Sequence, residues 1–185
     1  MSLSFYVHIP YCIKRCGYCD FNTYTPSELQ DGATLEIVSG DYIDAVLKEL
    51  EFAPTDVVPT IFFGGGTPSL MPPILVERLI RHAEDLFGFT NDIEITAEAN
   101  PTSVEAEAML GFRKAGVNRV SMGVQSLDDA GLKFLGREHS AIDALKALDK
   151  VSKAFDRVSI DLIYALPDQS PKAWQAMLGQ ALSLG

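Results

Sequence analysis

At 185 residues, 47% of them hydrophobic, the chain is long enough to bury one sizeable core, and no long polar or Pro/Ser-rich stretch divides it, so a single domain over residues 1–185 is expected. A formal net charge of −10 disfavours nucleic acid or an anionic membrane as the main partner. No apolar run reaches transmembrane length, and the N-terminus lacks the basic, apolar and small-residue layout of a signal peptide, so a cytoplasmic location is expected.

The first β-rich run, FYVHI at residues 5–9, leads into YCIKRCGYC, where Cys12, Cys16 and Cys19 are the chain's three cysteines. A reducing compartment and an odd number of thiols in one loop argue against a disulfide framework. Structural zinc ordinarily takes four protein ligands, and none of the three histidines stands at zinc-finger spacing from the loop. Cys16 and Cys19 alone would make a CxxC redox pair, which leaves Cys12 without a role. Iron–sulfur ligation accounts for all three, because a 4Fe–4S cluster held by three thiolates keeps one iron open to a small molecule. Zinc and a redox pair remain alternatives on spacing alone.

Helical periodicity follows at residues 41–52, with Ile43, Val46, Leu47 and Leu50 on one face. A second strand is read at 57–63 (VVPTIFF), running into Gly64, Gly65, Gly66 and Thr67. A helix at 74–87 carries Leu75, Leu79, Ala83 and Leu86, and a strand at 93–98 (IEITAE) ends at Glu98 before Asn100. Thr102 and Glu105 have the spacing of a capping box, opening a helix that ends near Gly116. Strands at 119–124 and 157–166 and helices at 142–155 and 171–182 complete five strand-then-helix units. Such alternation calls for a parallel sheet, either doubly wound or part of a (β/α) barrel, and no GxGxxG follows a strand to favour dinucleotide binding.

In barrels the chemistry collects at the carboxyl ends of the strands, and the unusual residues lie there: Cys12, the glycine run, Glu98 and Asn100, Gln125 and Ser126, with Asp161 inside the fifth apolar run. The glycines suit either a turn that needs positive φ or a backbone that approaches a ligand closely. Asp161, among Ile160, Leu162 and Ile163, is expected to point inward, since parallel strands are usually covered on both faces. His82 and His139 read as surface residues, Trp174 as packing, and His8 as either a hydrogen-bonded strand histidine or a site residue. Arg137 in LGREHS carries little signal by itself.

Taken in order, YVHIPYCIKRCGYCDF, FFGGGTPSL, AEANP, SMGVQS and IDLIYALP resemble the radical S-adenosylmethionine (SAM) superfamily from about residue 4 onward, more narrowly its oxygen-independent coproporphyrinogen III oxidase-like branch, which includes haem chaperones of the HemW type. The resemblance implies a partial (β/α) barrel of α/β class in which Cys12, Cys16 and Cys19 ligate a 4Fe–4S cluster. The open iron would chelate SAM, and an electron from the cluster would cleave the sulfonium to a 5′-deoxyadenosyl radical. It further implies that Tyr6 lies near the sulfonium and that Tyr18 packs beside the adenine. Gly65, Gly66 and Thr67 would meet the amino acid end of SAM. Glu98, Gln125, Arg137 and Asp161 would complete its contacts, the carboxylates suiting the ammonium or ribose hydroxyls and Arg137 the carboxylate. Ala165 stands where the family usually has the glycine of GLP.

Within the branch, Phe21 occupies the position where the true dehydrogenase has a further cysteine, and CDFN is similar to the haem chaperone group. The implied partners are therefore SAM, haem or a porphyrinogen, an electron donor, and a haem acceptor that can be membrane-associated. Conversion of coproporphyrinogen III to protoporphyrinogen IX is the alternative, and a non-catalytic iron–sulfur or zinc module a second. Five units are fewer than the six expected of the superfamily, and a C-terminal domain and an HNxYW motif are absent, so the chain is expected to be a truncated core.

Overall fold

The computed structural model describes residues 3–29, 34–54 and 56–184. Five strands alternate with helices: β1 (Ser4–Ile9), α1 (Leu35–Leu50), β2 (Val58–Gly65), α2 (Pro73–Phe87), β3 (Phe89–Ala99), α3 (Ser103–Ala115), β4 (Arg119–Gln125), α4 (Asp129–Phe134), α5 (Ala141–Ser152), β5 (Arg157–Leu162) and α6 (Pro171–Leu182). All pair in parallel in the order β1-β2-β3-β4-β5. A doubly wound sheet reverses its strand order partway, and this one does not. Crossovers of one hand in a sequential sheet put every helix on the same side, which is the arc of a (β/α) barrel.

Burial follows from that arrangement with a period of two along each strand. Val7, Ile9, Ile61, Phe63, Ile95, Ala97, Val120, Met122 and Val124 face the helices. There they meet Val76, Leu79, Ile80 and Ala83 of α2, Met109 and Phe112 of α3, and Ala144, Ala147 and Val151 of α5. The alternate residues, among them Tyr6, Phe62, Glu98, Ser121 and Asp161, line the opposite, concave face. No helix among the described residues is long and apolar enough to cross a membrane.

Several expectations need correction. α1 starts at Leu35, six positions before the expected start at Asp41. Gly40, just before the expected start, sits within the helix beside Ser39, which is buried. The buried stripe of α2 is Val76, Leu79, Ile80 and Ala83, whereas Leu86 is exposed. The apolar run 157–166 stops being strand at Leu162: Tyr164 meets Trp174 as a tilted ring pair with centroids 5.8 Å apart, which gives Trp174 its packing role. His82 is half-buried, and its Nε2 finds no hydrogen-bond partner among the described residues. Asp161 does face the concave side, but it is exposed, because the helices cover only the other face and β5 is the edge strand of the described sheet.

Ala165, three residues after the end of β5, adopts φ 60°, the left-handed region. A Cβ there costs about 1–2 kcal/mol, against about 0.4–1 kcal/mol by which alanine restricts the unfolded chain relative to glycine. Ala165→Gly is therefore expected to stabilise the fold by about 0.5–1 kcal/mol, raising the melting temperature by about 2–3 °C for a chain of this size. A melting temperature that falls on substitution would show that the left-handed turn carries no strain.

Candidate functional site at the carboxyl rim

Because all five strands are parallel, their carboxyl ends share one edge of the sheet, and the loops leaving that edge build the site. The cysteine loop is closed on itself by backbone hydrogen bonds. The Cys12 amide donates to the Tyr24 carbonyl at 3.0 Å and the Tyr24 amide to the Pro10 carbonyl at 2.7 Å. Arg15 braces the same loop from outside, donating to the Thr23 carbonyl and hydroxyl and to the Glu28 carboxylate. His8 Nε2 meets the Asn22 carbonyl at 2.8 Å, so His8 is a strand histidine holding the loop's return. Beneath β1, the Tyr42 hydroxyl donates to the His8 carbonyl, and burial pushes its pKa up to about 12, which keeps that proton in place.

The glycine run fastens the loop to β2. Gly66 and Thr67 donate their amides to the Ile9 and Tyr11 carbonyls at 2.7 and 2.8 Å. A Cβ on Gly66 would lie 2.6 Å from the Tyr11 carbonyl oxygen, and one on Gly65 would lie 2.6 Å from the His8 ring. Gly65 also has φ 106°. The turn reading of the glycines is thus realised, and the close approach they permit is to the chain's own loop.

The three cysteines are free thiols, Cys12 buried and Cys16 and Cys19 half-exposed. Burial pushes the Cys12 thiol up, an effect opposed by hydrogen bonds from Thr67 and Thr23. The Thr67 hydroxyl donates to Cys12 Sγ at 3.6 Å. Arg137, from the loop after α4, reaches across to donate Nη1 to Cys16 Sγ and to the Tyr18 hydroxyl, both at 3.4 Å. Its Nη2 is held more closely, by the Asn100 side-chain oxygen and by the Gly123 carbonyl at 3.1 Å. The fork of Arg137 therefore has one anchored arm and one loosely held arm aimed at the thiols.

A second group lies on the concave face. Glu98 is half-buried, and its pKa is raised by burial and by the nearby Asp161 charge, with the Gly65 amide working against the rise. Burial and Glu98 together raise the Tyr6 pKa; the Tyr6 ring stacks on Phe62 at 5.8 Å. Asp161 accepts from the Ser121 hydroxyl at 3.2 Å. Gln125 ends β4 with φ 67°, an uncommon backbone for a non-glycine residue. The expected residues thus fall into a thiol group (Cys12, Cys16, Cys19, Tyr18, Thr67, Arg137) and a carboxylate group (Tyr6, Glu98, Asp161). Gln125 and Gly65 stand between them.

Other residues that shape the rim were either not read as site residues in the sequence or were read for a different role. Gly123 lies under the Gln125 amide, which a Cβ would approach to 2.8 Å, with Arg137 at 4.0 Å; a glycine inside a strand was the available sign of such an approach. Asn100 ties Arg137 to α3, and Glu105, which reads as a helix cap, directs its carboxylate to Asn100. His139 is buried, correcting its surface assignment, and shares Nε2 with the Val124 carbonyl at 3.2 Å.

A family model for the Radical SAM superfamily matches residues 6–181. The chain belongs to that superfamily. It is 43% identical over 178 residues to mouse radical S-adenosyl methionine domain-containing protein 1, mitochondrial, covering 96% of this chain and 39% of the relative. It is 39% identical over 187 residues to the heme chaperone HemW of Escherichia coli K12, covering 98% and 48% respectively. Among solved structures, Escherichia coli coproporphyrinogen III oxidase (HemN), described as a radical SAM enzyme, superposes with a TM-score of 0.79 at 30% identity, over 98% of this chain and 42% of that one. The chain spans less than half the length of each.

Burial, followed by the neighbouring Arg137 charge, holds His139 below its ordinary pKa of 6.5, against the Val124 carbonyl and Asp143, which raise it. The fold thus favours the neutral ring, and the unfolded chain binds a proton that the folded one does not. That contribution is complete above pH 6.5 and is lost as pH falls below it. Melting temperatures recorded between pH 7 and pH 5 should fall less steeply for His139→Gln, which keeps a donor for Val124; parallel slopes would remove His139 from the account.

Proposed function

We propose that the chain is the radical SAM core of a HemW-like haem chaperone, with Cys12, Cys16 and Cys19 as ligands of a 4Fe–4S cluster and the rim as a SAM site. The observation that supports it most is the convergence on one thiol loop of hydrogen-bond donors from two other strand ends, Thr67 after β2 and Arg137 beyond β4. The donor set fits the group. Three free thiols lie in one loop, and a cluster takes one thiolate on each of three irons.

When bound, the cluster supplies the electron that cleaves the SAM sulfonium. This chain's residues bind and orient. The loose arm of Arg137 suits the SAM carboxylate, Glu98 and Asp161 suit its ammonium or ribose hydroxyls, and Tyr6 and Tyr18 offer aromatic faces to the sulfonium and adenine. The pKa of Glu98, raised by burial and then by Asp161 and only partly lowered by the Gly65 amide and His8, describes a carboxylate pair that a cationic ligand would suit.

Haem is the cargo favoured by the HemW relatives, by Phe21 in place of a further cysteine, and by the exposure of Phe21, 60%, beside the thiols. The structural likeness to coproporphyrinogen III oxidase favours the second reading, in which a porphyrinogen is oxidised.

Electron paramagnetic resonance on anaerobically reconstituted, dithionite-reduced protein tests the proposal. A 4Fe–4S signal that shifts when SAM is added and disappears in Cys16→Ala is expected; a signal indifferent to SAM would overturn the site. With SAM and reductant, coproporphyrinogen III should remain unconverted while haem binds stoichiometrically, and turnover would favour the oxidase reading.

A further inference from the structure

Asn100 follows β3 and is half-buried between a cation and an anion. Its side-chain oxygen accepts from Arg137 Nη2, and its amide nitrogen donates to Glu105 Oε1 at 3.1 Å and to the Thr67 hydroxyl at 3.5 Å. The Asn100 backbone amide also donates to Glu105, at 2.7 Å, and the buried Ser69 hydroxyl donates to the same carboxylate. The partners fix the amide's orientation: a guanidinium demands an acceptor on one side and a carboxylate demands donors on the other. Aspartate has no proton to give Glu105, and an apolar residue satisfies neither neighbour.

The two side chains that Asn100 holds are the two that address the thiols, Thr67 at Cys12 and Arg137 at Cys16. A cap alone would need only Thr102, whose hydroxyl accepts from the Glu105 amide at 3.2 Å, leaving the Glu105 carboxylate free for other work. From this geometry we infer that Asn100, locked by Glu105 and Ser69, is a positioning residue that sets both hydrogen bonds to the cysteine sulfurs and, by anchoring Nη2, fixes the place from which the loosely held Nη1 arm of Arg137 meets the bound ligand's carboxylate. The inference rests on the cluster reading above. Hydrogen bonds to cluster sulfurs stabilise the added negative charge of the reduced state, so weakening both makes reduction harder. A misdirected Arg137 weakens ligand binding separately.

Asn100→Ala changes no charge and removes the three side-chain bonds of Asn100, to Arg137, Glu105 and Thr67. Reconstituted anaerobically, it should load a 4Fe–4S cluster to the wild-type level. In an EPR-monitored redox titration its reduced-to-oxidised ratio at a fixed potential should drop about tenfold, equivalent to a midpoint about 59 mV more negative. Its dissociation constant for SAM should rise about tenfold. Ser69→Ala loosens the far end of the lock without touching a thiol or its donors, and should shift the midpoint in the same direction by less; it decides the matter if Asn100→Ala fails to fold. A midpoint and SAM affinity equal to wild type, with only the melting temperature lowered, would reduce Asn100 and Glu105 to a helix cap and overturn the inference. Absence of any cluster in the wild-type protein would instead overturn the cluster reading itself, and this inference with it.

Discussion

The seam between the cysteine loop and the end of β2 is the constraint on which the site depends. Two short amide-to-carbonyl bonds, from Gly66 to Ile9 and from Thr67 to Tyr11, continue the β1–β2 ladder past the end of the sheet. They extend strand-like order into a segment that has no core of its own. Gly66 allows the approach because its missing Cβ is replaced by the Tyr11 carbonyl. Thr67 follows immediately, so the same seam that fixes the loop also delivers a hydroxyl to Cys12. A loop of surface residues thereby acquires the precision that functional sites normally take from rigid elements.

The sequential strand order supplies the second requirement. With every helix on one side, the concave face has no apolar partner to satisfy and can carry Glu98, Ser121, Ser159 and Asp161 in adjacent registers. Burial of Glu98 and its proximity to Asp161 raise its pKa together, a strain that a doubly covered sheet would have to relieve by replacing one carboxylate. Lower on the same face, toward the amino ends of the strands, Glu94 pairs with Arg157 at 3.1 Å and with Arg119 at 3.8 Å. Glu94 is thus ion-paired away from the rim, whereas Glu98 and Asp161 nearer it have no salt-bridge partner among the described residues. That difference between the two carboxylate positions is what supports the proposed cationic ligand at the rim.

Strand and helix order were legible because parallel βα units repeat two strong periods, and the rim followed from the order alone. Element limits failed where one residue type serves two purposes. The helix expected from Asp41 begins at Leu35 and takes in Gly40, and the apolar residues after Leu162 continue the strand's composition while the backbone turns at Ala165. Asp161 was placed on the correct face but expected to be buried, since a strand's composition does not say whether a second layer covers it. His139 looked like a loop residue because its burial comes from packing behind Val124, a contact fifteen residues away in sequence that no local pattern encodes.

Glu105 shows how a correct local reading can conceal a role. Thr102 and Glu105 have capping-box spacing, and half of the box forms: the Thr102 hydroxyl accepts from the Glu105 amide. In the other half the carboxylate would return to the Thr102 amide, but that amide donates to the Asn100 carbonyl at 2.9 Å and the carboxylate goes to Asn100 and Ser69. Both arrangements satisfy the first turn of α3, so helix formation does not choose between them. What separates them lies outside the helix. Only the observed one ties α3 to the Asn100 side chain, hence to Arg137 from the loop beyond β4 and to Thr67 from the seam at β2. Three units of the arc then meet at one amide, and the thiol loop is held through Arg137 as well as through the seam.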